Sequence, residues 1–276
     1  MIDSHGRMRG GGFGTIRISL ASGERALENG NVLEKLKAPL RRFRVYRALR
    51  FAWHCATDRT FRRDQIMRVR RPGNLFQYRS VTRADRYPGI FAFVREQLKE
   101  VREPRLLSFG CATGEEVFSL RTYFPGAAIK GVDINAGNIA VGRARLRDLE
   151  SAVAAKIEFA VQDSADGETP ESYDAVFCLA VFQHQSLQDP TIASCEDYIR
   201  FEAFERTLAG LARCLKPGGW LAIRHADFRF ADTKVSAGFR AVMSIPPVGT
   251  PHPRFDRNNR RLPDEHDAEV VFQKCR

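Results

Sequence analysis

Metal-ligand spacing is absent from this sequence. Its six cysteines (Cys55, Cys111, Cys178, Cys195, Cys214, Cys275) form no C-x-x-C pair and no Cys/His group of the kind that holds zinc, so no metal is expected. No run approaches the roughly 20 apolar residues of a membrane-spanning helix. Residues 1–14 lack the apolar centre of a secretory signal, so the expected location is cytoplasmic, with thiols reduced. Gly10, Gly11, Gly12 and Gly14 follow no strand, which excludes a phosphate-binding loop there. There is no internal repeat.

What is present suits a globular α/β chain: 276 residues, 43% hydrophobic and 28% charged. The excess charge of +11 is concentrated: residues 34–71 hold thirteen Lys/Arg against three Asp/Glu, a net +10. Within that stretch Leu40, Phe43, Tyr46, Leu49, Trp53 and Ala56 recur every three or four residues, with Arg41, Arg44, Arg47 and Arg50 between them. This predicts a basic amphipathic helix over 40–56, whose apolar stripe must be covered and whose basic face is either solvated or meets an anionic partner. The expected organisation is a leader (1–32), a basic helical segment (33–79) and a main domain (80–276).

From residue 80 on, strands and helices alternate. Strands are expected at 106–109, 128–132, 156–161, 175–179, 220–224 and 268–274, and helices along 90–101, 115–123, 136–151 and 197–215, the last ended by Pro217-Gly218-Gly219. Such alternation implies a doubly wound, mostly parallel, seven-stranded Rossmann-like sheet with helices on both faces.

The first of these strands runs into Gly110-Cys111-Ala112-Thr113-Gly114-Glu115-Glu116, a small-residue turn opening a helix at the carboxyl edge of the sheet. A dinucleotide fold would bring a pyrophosphate to that helix start. Two carboxylates stand there instead, and the third glycine of G-x-G-x-x-G is replaced by Glu115. Glu115 and Glu116 repel phosphate and attract a cation, which suits S-adenosylmethionine (SAM), a ligand with a sulfonium and an ammonium but no phosphate. Asp133 ends the next strand, where an acid accepts hydrogen bonds from ribose hydroxyls, and Asp163 ends the one after, facing the adenine edge.

The arrangement resembles the class I SAM-dependent methyltransferases, and the 110–116 turn is particularly similar to that of the chemotaxis-receptor carboxyl methyltransferases. The resemblance, over roughly 80–276, implies a cofactor site of Thr82 and Arg86 (the Thr-x-x-x-Arg segment that folds over the cofactor), Gly110, Cys111, Gly114, Glu116, Asp133, Ile134, Asp163, Ser164 and Leu179. The chain departs from that family in three places. Leu179-Ala180 stands where the family has Arg-Asn, His184 stands where it has a tyrosine, and the 30 residues from Asp133 to Asp163 leave no room for its receptor-docking β-subdomain.

Methyl transfer from a sulfonium is an in-line displacement, served by alignment and desolvation. A carboxylate acceptor needs no base, whereas a hydroxyl or protonated amine does. His184 is the catalytic candidate, as base or orienting donor or else as a structural prop; His225, after the fifth strand, is the second. The expected function is O-methylation of a small molecule or peptide, a carboxylate included. Two alternatives stand beside it: methylation of RNA, with the Arg-rich segment on phosphates, and a module that binds SAM without turnover.

Overall fold

The structure is a computed structural model that describes residues 44–57, 62, 76, 83–246, 252–263 and 268–276. The chain divides into two units, residues 1–63 and 64–276. In the first lies α1 (Arg44–Thr57), which holds the basic amphipathic repeat; the expected start at residue 40, the leader and Thr82 lie outside the described residues. No described helix is long and apolar enough to cross a membrane, and no described group of His, Cys, Asp and Glu could hold a metal ion.

In the second unit α2 (Pro88–Gln97) starts on a proline at its first position, where the ring's fixed φ costs nothing. Ile90, Phe91, Val94 and Leu98 of the expected stripe are buried; Val101 is exposed. There follow β1 (Arg105–Phe109), α3 (Glu115–Tyr123), β2 (Ala128–Asp133), α4 (Ala136–Arg147), a single turn α5 (Ser151–Ala154), β3 (Ile157–Val161), β4 (Tyr173–Leu179), α6 (Phe201–Cys214), β5 (Leu215–Arg224), β6 (Phe239–Ser244) and β7 (Glu269–Lys274). One seven-stranded sheet results, in the order β3-β2-β1-β4-β5-β7-β6. Strands β1 to β5 are parallel, and β7 runs antiparallel between β5 and β6. The expected doubly wound, mostly parallel sheet is therefore the one observed.

Both faces are covered, so every residue of the central strand β4 is buried and its sequence reads as a continuous apolar run rather than an alternation. One face packs Phe182, Phe201, Phe204, Phe228 and Phe255 around α6, and the other packs Phe91, Val117, Leu120, Phe159 and Phe177 beneath α2 and α3. Each such side chain contributes about 1.5 to 3 kcal/mol on burial.

Two local expectations are corrected. Pro217-Gly218-Gly219 does not end the preceding helix against a loop: α6 stops at Cys214 and β5 begins at Leu215, so the triplet lies inside the strand. The ladder with β4 is irregular there, pairing Tyr173 with Leu215 and resuming at Ala175 with Trp220, so a proline is tolerated. The second correction is β6, which had no sequence signal of its own. It is an edge strand of mostly part-exposed residues with two register shifts, so its pattern is not a clean alternation.

Sequence order reverses between β1 and β4: from β1 the chain steps outward to β2 and β3, and from β4 it steps the other way to β5. Such a switch opens a crevice beyond the carboxyl ends of these strands.

Candidate active site

The turn after β1 is held from two sides. The Gly110 and Cys111 amides donate to the Val132 carbonyl at 2.8 and 2.9 Å, and the Ala112 amide donates to Asp133 Oδ2 at 2.9 Å. Gly110 and Gly114 have φ of 76° and 95°, conformations that favour glycine. Neighbouring protein atoms enforce the same choice. A Cβ on Gly110 would lie 2.5 Å from Val181, beyond the end of β4, and one on Gly114 would lie 2.8 Å from Phe159 of β3. The glycines thus let three strand ends converge. Cys111 turns its thiol into the core against Gly131, leaving only its backbone to the turn.

The two carboxylates at the start of α3, both expected to attract a cation, are not equivalent. Glu115 forms a two-pronged ion pair with Arg145 of α4 at 2.5 and 3.1 Å, and the same guanidinium lies 4.6 Å over the Phe118 ring. Its charge is spent. Glu116 has no such cation among the described residues; it accepts from the Ser108 hydroxyl at 2.7 Å. The residue is partly exposed, yet surrounding protein desolvates its carboxyl and lifts its pKa to about 7, against the lowering influence of Ser108 and the Arg86 charge.

Asp133 is buried, and its carboxylate already accepts from the Ala112 and Asn135 amides and from Asn138 Nδ2, at 2.9, 2.7 and 3.2 Å. It clamps the glycine turn to the end of β2 and retains about one of its four acceptor positions. Burial raises its pKa, opposed by those hydrogen bonds. Ile134 is half-buried beside it, and Asn135 caps α4 through the Gly137 amide. Asp163 and Ser164 lie half-buried just past β3, with Ser164 donating to Asp166 Oδ2 at 2.9 Å. Leu179 ends β4, buried.

Arg86 and Tyr87 reach this region through Asp85, whose amide donates to Ser119 Oγ at 2.9 Å and whose carboxylate accepts from Tyr123 Oη at 3.0 Å, both on α3. Tyr87 was not foreseen; its only sequence signal is that it follows Arg86. It is 8% exposed, its hydroxyl has no hydrogen-bond partner among the described residues, and burial and the Glu116 charge push its pKa up to about 12, against neighbouring arginines. The ring lies 5.8 Å from that of His225. His225 closes β5 with φ of 53°, and burial, with Arg224, Arg86, His252 and Arg254, holds its pKa down at about 4.

His184 is 4% exposed and begins a short 3-10 turn, its Nδ1 accepting from the Ser186 amide at 3.3 Å. Its own amide donates to Asp227 Oδ2 at 2.6 Å, and its ring packs 5.1 Å from that of Tyr198.

Residues 107–221 match the model of a methyltransferase domain. The match begins inside β1 and ends inside β5, so it spans the glycine turn, Asp133, Asp163 and Leu179, and the fold is the Rossmann-like, class I methyltransferase type. The chain is similar to the ubiquinone biosynthesis O-methyltransferase of Burkholderia vietnamiensis, 29% identical over 117 residues, 42% of each chain. It is also similar to the ribosomal RNA large subunit methyltransferase G of Cronobacter sakazakii, 29% identical over 139 residues, 49% of this chain and 34% of the relative. The chain spans less than half the length of these curated relatives. Among solved structures the chain is similar to magnesium protoporphyrin IX methyltransferase of Synechocystis PCC 6803 with bound SAM, 16% identical, covering 68% of this chain and 77% of that one at a TM-score of 0.46.

Proposed function

We propose that this protein is a SAM-dependent methyltransferase acting on an oxygen of a small molecule or peptide. The observation that carries the reading is the pairing of an open acid with an orphan hydroxyl beside the glycine turn. Among the described residues Glu116 lacks a salt-bridge partner while Glu115 is neutralised, and Tyr87 Oη is buried without a hydrogen-bond partner. A cationic ligand with hydroxyl and amine groups fits that set; a pyrophosphate does not. Glu116 and the spare lone pair of Asp133 would take the cofactor's donors, Asp163 and Ser164 its base, and Ile134, Leu179 and the backbone of Gly110 to Gly114 would enclose it. Thr82 and Arg86 would border the same cofactor. When bound, SAM supplies the electrophilic methyl group. The chain's own contribution is to hold the acceptor in line and to exclude water from a crevice walled by Leu179 and Tyr87.

His184 is read as a structural prop rather than as a base, because its ring is buried and its Nε2 is closed to solvent. With Nδ1 accepting a backbone N–H, the neutral ring carries its proton on Nε2 and has no lone pair left to receive another.

Calorimetry on the full chain with SAM and S-adenosylhomocysteine tests the reading. Both are expected to bind, and Asp133→Ala to lose about 1.5 to 3 kcal/mol. No binding by the wild-type chain would overturn it. The second reading, RNA methylation, draws on the net +10 of residues 34–71. It requires RNA affinity that falls steeply with salt. Cytoplasmic location accords with either.

A further inference from the structure

Beyond β5 the chain makes a second constellation that sequence spacing did not reveal. Asp227 is fully buried, its amide donating to the Phe182 carbonyl at 2.7 Å and its Oδ2 accepting from the His184 amide at 2.6 Å. Its other oxygen, Oδ1, lies 2.5 Å from His252 Nε2. His252 comes from a separate segment pinned against this one. The Phe255 amide donates to the Asp227 carbonyl at 2.9 Å, Phe255 is fully buried, and the Arg254 guanidinium donates to the carbonyls of Ala226 and Phe228.

The Asp227 carboxylate fixes the His252 tautomer: Nε2 carries the hydrogen and Nδ1 carries the lone pair. Among the described residues nothing bonds Nδ1, and the His252 side chain keeps 15% of its surface open. The pair stands at the carboxyl edge of the sheet, where the site already described lies: Asp227 follows β5, and its amide bonds the carbonyl of Phe182, just beyond β4. His225, at the end of the same strand, packs its ring on Tyr87.

We propose that His252, oriented by Asp227, is the general base of this enzyme and that the acceptor is therefore a hydroxyl rather than a carboxylate. This rests on the methyltransferase reading above and narrows its substrate class. The step balances simply. The acceptor O–H gives its proton to His252 Nδ1, the oxygen keeps the electron pair and forms the new O–CH3 bond, and the C–S pair leaves with sulfur as a neutral thioether. The imidazolium formed is stabilised by the Asp227 carboxylate. Asp227 itself touches no substrate and is a positioning residue. A carboxylate acceptor, already ionised, would have no use for such a pair.

The charged group that His252 meets directly is Asp227, and His252 is itself one of the charges, with Arg224, Arg86 and Arg254, that act on His225.

The test uses the full-length protein and two readouts. Nitrogen-15 histidine NMR should show neutral His252 as the Nε2–H form, and Asp227→Asn should abolish that tautomer preference. An Nδ1–H form would overturn the proposal whether or not SAM binds. In the second readout SAM and a mixed panel of phenols, alcohols and carboxylic acids are incubated with the protein and products are identified by mass. Methyl ethers are expected, with His252→Gln slower by ~10²-fold or more and Asp227→Asn slowed with an altered pH profile. Both variants should keep SAM affinity within about twofold, because neither residue is in the cofactor's set. Methyl esters alone, or an undiminished His252→Gln rate, would overturn the base. Should no panel member react, the NMR result decides. Failure of the wild-type chain to bind SAM would instead remove the methyltransferase reading and leave the tautomer result standing by itself.

Discussion

Glu116 is the residue where charge, burial and ligand meet most directly. With a pKa near 7 in the free protein against an ordinary 4.5, the folded state holds a proton that the unfolded state has released between those values. Stability conferred by this group is therefore present below about pH 4.5 and declines as pH rises toward about 7. A cationic ligand reverses the preference by favouring the ionised carboxyl. SAM affinity should consequently rise by up to about tenfold between pH 6 and pH 8, and Glu116→Gln should flatten the profile; calorimetry at several pH values in matched ionic strength measures both. At Gly110 the constraint is steric. Gly110→Ala imposes a positive φ on a side chain and overlaps Val181, so it should lower stability by about 1 to 3 kcal/mol in denaturant melts. Pairing it with Val181→Ala should recover part of that loss, since the two sites touch.

The start of α3 and the body of α4 are joined through Glu115 and Arg145, an ion pair with side chains 23% and 40% exposed. Pairs this wet contribute little, so Arg145→Met should cost under about 1 kcal/mol in unfolding experiments. Because Glu115 is turned toward α4, the same variant should shift SAM affinity less than about twofold; a large change would mean that Glu115 addresses the cofactor after all. Helix periodicity cannot separate two adjacent glutamates, one of which meets a guanidinium 30 positions away. The segment carrying Asp85, Arg86 and Tyr87 is similar in kind: its local sequence suggests a contact with the cofactor, but its placement against α3 depends on Ser119 and Tyr123 of that element.

Across the whole molecule, charge and chemistry are unevenly shared. Nearly all the net charge of +11 belongs to residues 34–71, whereas every candidate site residue lies at 82 or beyond. If residues 80–276 form the SAM-binding domain, limited proteolysis of the full chain with saturating S-adenosylhomocysteine should leave a protected fragment beginning near residue 80. Its stabilisation should approach about 2.7 kcal/mol at a hundredfold excess over Kd. Cleavage within β1 to β5 at the same rate with and without ligand would contradict that boundary.

The sequence by itself determined the alternation of strands and helices, the glycine turn after β1 and an acid at the end of β2. These are properties of short segments, written in periodicity, in backbone freedom and in the residue that closes a strand. It also carried the family resemblance, because the motif residues are contiguous or follow at fixed strand-to-strand distances. Only the tertiary structure decided which of two glutamates keeps its charge, that β6 pairs with β7, and that Asp227 meets His252. Each of these depends on partners far apart in the chain, brought together by packing around α6 and the sheet edge, and no local pattern encodes such a meeting.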